Sequence, residues 1–212
     1  MRIPFRRAVW LPPLLSFAGL TLALELGLGL AEIPSYLMPR PSEVFRALYV
    51  NGADLTRAIL RTSLAASVGL IASALLGVAA AILLSSNDWM RRAFYPYAVF
   101  FQTVPIIAIA PLLVIWFGYG LKTIIAVSFI VSVFPIIANT LSGLLSTDPA
   151  LRDLFRLHQA STLTTLVKLR IPGAIPQFLT GLRIASGLAV IGTIVGEFVA
   201  DNYQDGGGIG TL

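Results

Sequence analysis

The sequence has no cysteine and a single histidine, His158. Without cysteine there is no disulfide framework, no thiolate metal site and no cysteine nucleophile. With one histidine there is no multi-histidine metal centre and no credible Ser/His/Asp set. Charge is scarce too. Only 12% of residues are charged against 57% apolar, with a mean hydropathy of +0.85, whereas soluble domains carry about 25% charged residues. The class that remains is an all-α polytopic membrane protein. No Gly-x4-Gly-Lys-Ser/Thr loop occurs, so the chain does not bind ATP by that device. The run Gly206–Gly210 superficially suggests a dinucleotide loop, but it follows an apolar block rather than a strand and opens no helix. No aspartate lies inside an apolar block, which excludes intramembrane proteolysis by paired aspartates. The formal charge of +5 would suggest nucleic acid in a soluble protein. Here its distribution reads as membrane topology, with no nucleic acid as partner.

Long apolar runs are what the chain does have. Met1–Arg7 is short and basic. Residues 8–30 follow, broken only by Pro12, Pro13 and Glu25, and are long enough to cross about 30 Å of hydrocarbon. A cleaved leader would have a shorter apolar core, so this reads as an uncleaved first span. Ser42–Leu48 reads as a short amphipathic helix capped by Ser42. Further spans are expected at about 58–84, 93–117, 123–145 and 182–200, giving about five in a single domain. Span 58–84 is rich in glycine, alanine and serine, which let helices approach closely in lipid. Span 93–117 holds Pro96, Pro105 and Pro111, with Gln102 and Thr103 beside the middle one. Freed carbonyls at such breaks need protein or a water-filled cavity.

Between the last two spans lies a polar interruption, Ser146–Arg183. Asp148 is a candidate N-cap with Pro149 at the first helical position. Leu151, Leu154, Phe155 and Leu157 then recur at helical spacing. Ser161 is a second candidate cap, followed by an apolar stripe of Leu163, Leu166, Val167 and Leu169 that Pro172 and Pro176 are expected to end. Two short amphipathic helices joined at a bend suit a docking surface for a soluble partner, or equally a pair lying on the headgroups.

With the N-terminus inside, the inner segments carry Arg2, Arg6, Arg7, Arg91, Arg92, Arg152, Arg156, Lys168, Arg170 and Arg183. The outer ones carry Arg40, Arg46, Arg57, Arg61 and Lys122. This bias follows the positive-inside rule and puts residues 146–183 in the cytoplasm.

That segment resembles the cytoplasmic Glu-Ala-Ala (EAA) loop of ABC-importer permeases. Asp153-Leu154-Phe155 stands where Glu-Ala-Ala is expected, Gln159 where the motif has Gly, and Ile171-Pro172 closes the run. The continuations PGAIP (172–176), TGLRIA (180–185) and VIGTIVGE (190–197) are similar to the branch importing sulfonates, nitrate, bicarbonate or vitamin precursors. The resemblance runs from Met38 onward. It implies the type I ABC-importer transmembrane fold, of the methionine-importer-like kind. It implies an inner-membrane permease that is not itself an enzyme, paired with a second permease copy as a homodimer. A cytoplasmic ATP-binding cassette ATPase would bind ATP and Mg, and an extracytoplasmic solute-binding protein would deliver solute. No cofactor or metal is expected on this chain. Residues 146–181 become the coupling loop, with Asp153, Leu154, Phe155, Arg156, Leu157, Gln159, Ala160, Ser161 and Leu163 facing the ATPase. A left-handed backbone at Gln159 would cost a non-glycine residue about 1–2 kcal/mol.

Polar groups within the spans are candidates for lining a solute pathway: Gln102, Thr103, Asn139 and Glu197. For Glu197, near a span end, an interfacial snorkelling carboxylate is the competing reading. A standalone channel or secondary transporter would call for inverted repeats and paired intramembrane charges, and the sequence offers neither. The family pattern also continues past Gly210 into a further span, so an inactive truncated permease copy is the other alternative.

Overall fold

The computed structural model describes residues 10–31, 33–200 and 207–211, Phe101 by backbone alone. The basic run Met1–Arg7, the start of the first expected span and Asp201–Gly206 lie outside the described residues. Helices are α1 (Leu11–Leu30), α2 (Pro41–Val50), α3 (Gly52–Ser86), α4 (Asp88–Thr103), α5 (Ile106–Phe117), α6 (Leu121–Leu145), α7 (Pro149–Leu157), α8 (Thr162–Thr165) and α9 (Ile171–Ala200). A π-turn, Leu166–Arg170, joins α8 to α9, and a 3₁₀ turn covers Ile209–Thr211. Among the described residues there is no strand. Four helical stretches are long and apolar enough to cross a membrane: Leu11–Leu30, Gly52–Ser86, Leu121–Leu145 and Thr162–Ala200.

The chain divides into two compact units between Thr56 and Arg57. In the first, α1 exposes nearly all its large apolar side chains and buries Leu28. The charge inside α1 has a local explanation. Glu25 accepts from the Ser42 backbone N–H at 3.0 Å and from the Ser42 hydroxyl at 2.7 Å, so it neutralises the positive end of α2. Ser42 is therefore not the cap. Pro41 takes the first helical position, Arg40 is the N-cap residue, and the Glu43 carboxylate accepts from the Arg40 N–H at 3.1 Å.

The second unit is built on α3, α6 and α9. Lipid supplies no hydrophobic drive between helices, so they associate by close van der Waals packing over small residues. Gly181, Gly192 and Gly196 of α9 lie against α6. A Cβ at Gly181 would stand 2.8 Å from the Pro135 carbonyl, and one at Gly192 or Gly196 would stand 3.1 Å from the Cα of Ser128 or Ile124. Ala185, Ala189 and Ala200 are buried along the same helix. On the other side, Gly69 and Gly77 of α3 admit Ser128 and Ile136 of α6. Buried hydroxyls stitch the three helices. Ser73 bonds the Phe129 carbonyl at 2.9 Å and Ser132 at 2.7 Å, while Ser128 donates to the Ala189 carbonyl at 3.0 Å.

Two expectations about proline are corrected. Of the three prolines expected to interrupt 93–117, only Pro105 breaks the helix. Val104 and Pro105 are extended there, whereas Pro96 sits inside α4 and Pro111 inside α5. Nor do Pro172 and Pro176 end the second docking helix, since helix continues from Thr162 to Ala200. The reason lies just upstream. In the π-turn the Ile171 N–H reaches back to the Leu166 carbonyl. That wider turn relieves the clash the Pro172 ring would make with the Lys168 carbonyl four residues before it, while Pro176 is carried inside α9.

The packing predicts a contrast between two glycines of α9. Gly181→Ala should cost about 1–3 kcal/mol by overpacking. Gly187→Ala, whose Cβ meets nothing within 4 Å, should be neutral or mildly stabilising. Thermal unfolding of the detergent-solubilised chain reads both.

Candidate functional site

The turn at 148–163 is built by its caps. Asp148 accepts from the Ala150 N–H at 2.9 Å, and Pro149 opens α7. The helix ends in a Schellman arrangement, in which the Gln159 N–H reaches the Arg156 carbonyl and the Ala160 N–H the Phe155 carbonyl, both at 2.9 Å. This end requires a left-handed residue. Gln159 supplies it, with φ of 52°, the one positive φ outside glycine among the described residues. Ser161 then caps the following helix, accepting from the Thr164 N–H at 3.1 Å.

The apolar stripe of this turn is left open. Leu154 is 47% exposed, Leu157 81% and Leu163 69%, while Phe155 is half-buried. Leu151 and Val167 are exposed as well. Asp153 and Arg156 are also at the surface. Arg152, just before Asp153, turns the other way and donates to the Leu145 carbonyl at the end of α6, 2.9 Å away. Charge and apolar surface are therefore interleaved on a short, rigidly capped bend.

The four intramembrane candidates are not one constellation. Gln102 and Thr103 flank the break at Pro105 and help line a recess of about 300 Å³, with Val104, Ile130, Phe134 and Leu188 among its other walls. Thr103 donates to the Phe100 carbonyl at 2.7 Å, satisfying one of the groups at the end of α4. Asn139 is elsewhere. Its amide donates back to the Pro135 carbonyl at 2.8 Å, and its Cβ lies under Gly181.

Glu197 is 1% exposed. Its carboxylate does not snorkel but is clasped from two sides. The Thr62 hydroxyl donates to Oε1 at 2.7 Å and the Gly210 N–H to Oε2 at 2.9 Å, while the Thr62 oxygen accepts from the Ile209 N–H at 3.0 Å. A Cβ at Gly208 would fall on the carboxylate itself, so the approach of this segment requires glycine there. Thr62 and Gly207–Thr211 carry no chemistry-bearing motif, and sequence reasoning missed them. The available signal was a glycine run within reach of an otherwise unexplained acid.

Residues 69–209 match the family described as binding-protein-dependent transport system inner membrane component. A probable ABC transporter permease protein of Haemophilus influenzae is 37% identical over 91% of this chain and 78% of its own length. The formylaminopyrimidine transport permease protein ThiX of Halalkalibacterium halodurans is 38% identical over 91% of this chain and 77% of its own. The riboflavin transport system permease protein RibX of Chloroflexus aurantiacus is 28% identical over 89% and 69%.

The clasp predicts that Thr62→Val leaves the Ile209 N–H and one carboxylate oxygen unpaired, at a cost of about 1–3 kcal/mol. Amides across 207–211 should then exchange on the order of tenfold faster in hydrogen–deuterium exchange of the intact chain.

Proposed function

This chain belongs to the inner-membrane components of binding-protein-dependent transport systems, the transmembrane permeases of ABC importers, and we propose that its capped turn at 148–163 is the lever by which a separate ATPase drives it. Membership in that family implies an ATPase and a substrate-binding protein as partners. The carrying observation is the open apolar stripe of Leu154, Leu157 and Leu163 on a bend fixed at both ends by caps. An amphipathic helix with exposed anchors at i, i+3 spacing is suited to a groove on a soluble partner. Asp153, Arg156 and the exposed neighbours Gln159 and Ser161 make its polar border, with Phe155 and Ala160 beneath.

In this reading the N-terminus and the turn face the cytoplasm, two copies of the chain form the permease, and ATP with Mg is held by the ATPase. Closure of the ATPase on ATP moves the turn as a rigid body, and the helices rock between inward and outward access. Solute arrives from an extracytoplasmic binding protein. The recess at Gln102 and Thr103 is the passage on this chain. Its walls offer an amide, a hydroxyl, aliphatic groups and a ring but no charged side chain, which suits transient passage of a small polar solute. The solute class is that of the relatives' branch: a vitamin precursor such as a pyrimidine, a sulfonate, nitrate or bicarbonate. ThiX, at 38% identity, favours the first. Asn139 and Glu197 serve the bundle that frames the passage.

Two measurements test this. Leu154→Asp with Leu157→Asp should cut co-purification with the cognate ATPase by about tenfold or more, two buried anchors being replaced by charges; unchanged recovery overturns docking at this turn. Because the chain has no cysteine, His158→Cys reports topology directly. It should react with an impermeant maleimide only after the cells are opened, and labelling of intact cells would place the turn outside.

A further inference from the structure

Where α3 and α6 end beside the docking turn, an apolar cavity of about 290 Å³ opens between α3, α6 and α9. Val78, Ile82, Leu144, Ile171 and Phe178 are among its walls, and the single polar side chain lining it is Thr140. Thr140 is 4% exposed, and its hydroxyl has no hydrogen-bond partner. A buried hydroxyl normally finds one, most simply the carbonyl one turn back.

Beside this cavity stand arginines. Arg170, adjacent to Ile171, donates to the Ser85 carbonyl at 3.4 Å, and Arg152 donates to the Leu145 carbonyl at 2.9 Å. Ser85 is one turn beyond the wall residue Ile82, and Leu145 follows the wall residue Leu144, so both guanidiniums bond carbonyls just past the cavity walls, where the two helices stop. Arg152 keeps a buried Nε–H without a partner. Arg91 and Arg152 are both close enough to repel Arg170, and the opposing carboxylate is Asp88, which already pairs with Arg91 at 2.9 Å. Helix ends attract cations, which accounts for one arginine at each carbonyl. It does not account for Arg91 and Arg152 both lying near enough to act on Arg170, nor for the unused donor.

Each half of the site asks for something the other cannot give. Guanidiniums in excess of carboxylates, with a free N–H, are suited to an anion, above all a phosphate. An apolar cavity bordered by the exposed Ile175 and the half-buried Phe178 is suited to hydrocarbon. A free phosphate would leave the cavity empty, and an uncharged hydrophobe would leave the arginines unmatched. We propose that this joint is a binding site for one anionic phospholipid, its phosphate held by Arg152 and Arg170 with Arg91 behind them, and an acyl chain in the cavity. The Thr140 hydroxyl is free to donate to an ester carbonyl. Basic pockets between membrane helices are known to hold such headgroups. A lipid seated here braces the docking turn against the bundle. The site is independent of which solute is carried and of whether the turn engages an ATPase.

The test uses the full chain, stripped of lipid in detergent and titrated separately with dioleoylphosphatidylglycerol, dioleoylphosphatidylcholine and inorganic phosphate, with bound molecules counted by native mass spectrometry. One phosphatidylglycerol per chain should bind on the order of tenfold more tightly than phosphatidylcholine, and phosphate alone should not be retained. Arg152→Gln with Arg170→Gln should bring phosphatidylglycerol down to the phosphatidylcholine level, while the paired lysine variant keeps most of the preference. Ile175→Trp, which narrows the cavity and leaves the arginines intact, should weaken phosphatidylglycerol binding by a similar factor. Equal binding of the two lipids, retention of phosphate alone, or unchanged binding in the glutamine or tryptophan variants overturns the proposal. Should the glutamine pair fail to fold, the wild-type titrations and Ile175→Trp decide it.

Discussion

The backbone-to-backbone approach of α6 and α9 is the constraint on which the rest depends. In lipid, two helices gain nothing by hiding leucine from water, so the contact must come from close fit. Gly181, Gly192 and Gly196 provide that fit by leaving no Cβ to hold the helices apart. Because the gap is so narrow, the Ser128 hydroxyl can reach across to a carbonyl of α9. The same seam fixes the register of α9 against α6, and so fixes where Glu197 sits and at what angle the chain leaves the turn at 148–163.

Polar groups inside the bundle follow one logic. A hydroxyl or carboxylate in hydrocarbon is tolerated when its partners are built in. Ser73, Ser128 and Ser132 serve one another and nearby carbonyls. Glu197 is served by Thr62 and by the Gly210 N–H, and Glu25, in the other unit, by Ser42. Against that economy the unpartnered hydroxyl of Thr140 and Nε–H of Arg152 stand out. Thr140 lines the cavity between α3, α6 and α9, and Arg152 bonds the carbonyl beside its wall residue Leu144.

Much of this was legible in the residues. Length and apolar content identify the long helices, Asp148-Pro149 and Ser161 mark the caps of the turn at 148–163, and the glycine expected where Gln159 stands raises the left-handed backbone found there. What escaped has specific causes. Pro172 reads as a breaker because the proline rule is local, whereas the turn that accommodates it lies upstream and depends on hydrogen-bond register. Pro96 and Pro111 look identical to Pro105 in sequence, yet only Pro105 has an extended residue before it. Glu197 reads as interfacial because its partner Thr62 is 135 positions away and its other donors belong to a glycine run that resembles a loop. Long-range polar pairing leaves almost no periodic trace.

The helix from Thr162 to Ala200 has one further consequence, for what its gene can tolerate. Each residue of an α-helix advances the side-chain direction by about 100°. An insertion or deletion of one codon between Ile171 and Gly181 would swing the whole glycine seam away from α6, even though every residue type survived. A π-turn is what a helix forms when it absorbs one surplus residue locally, and Leu166–Arg170 lies upstream of that seam. Length variation is therefore admissible at this swelling and forbidden beyond it, so the segment from Ile171 to Glu197 should keep a fixed count while the sequence within it drifts.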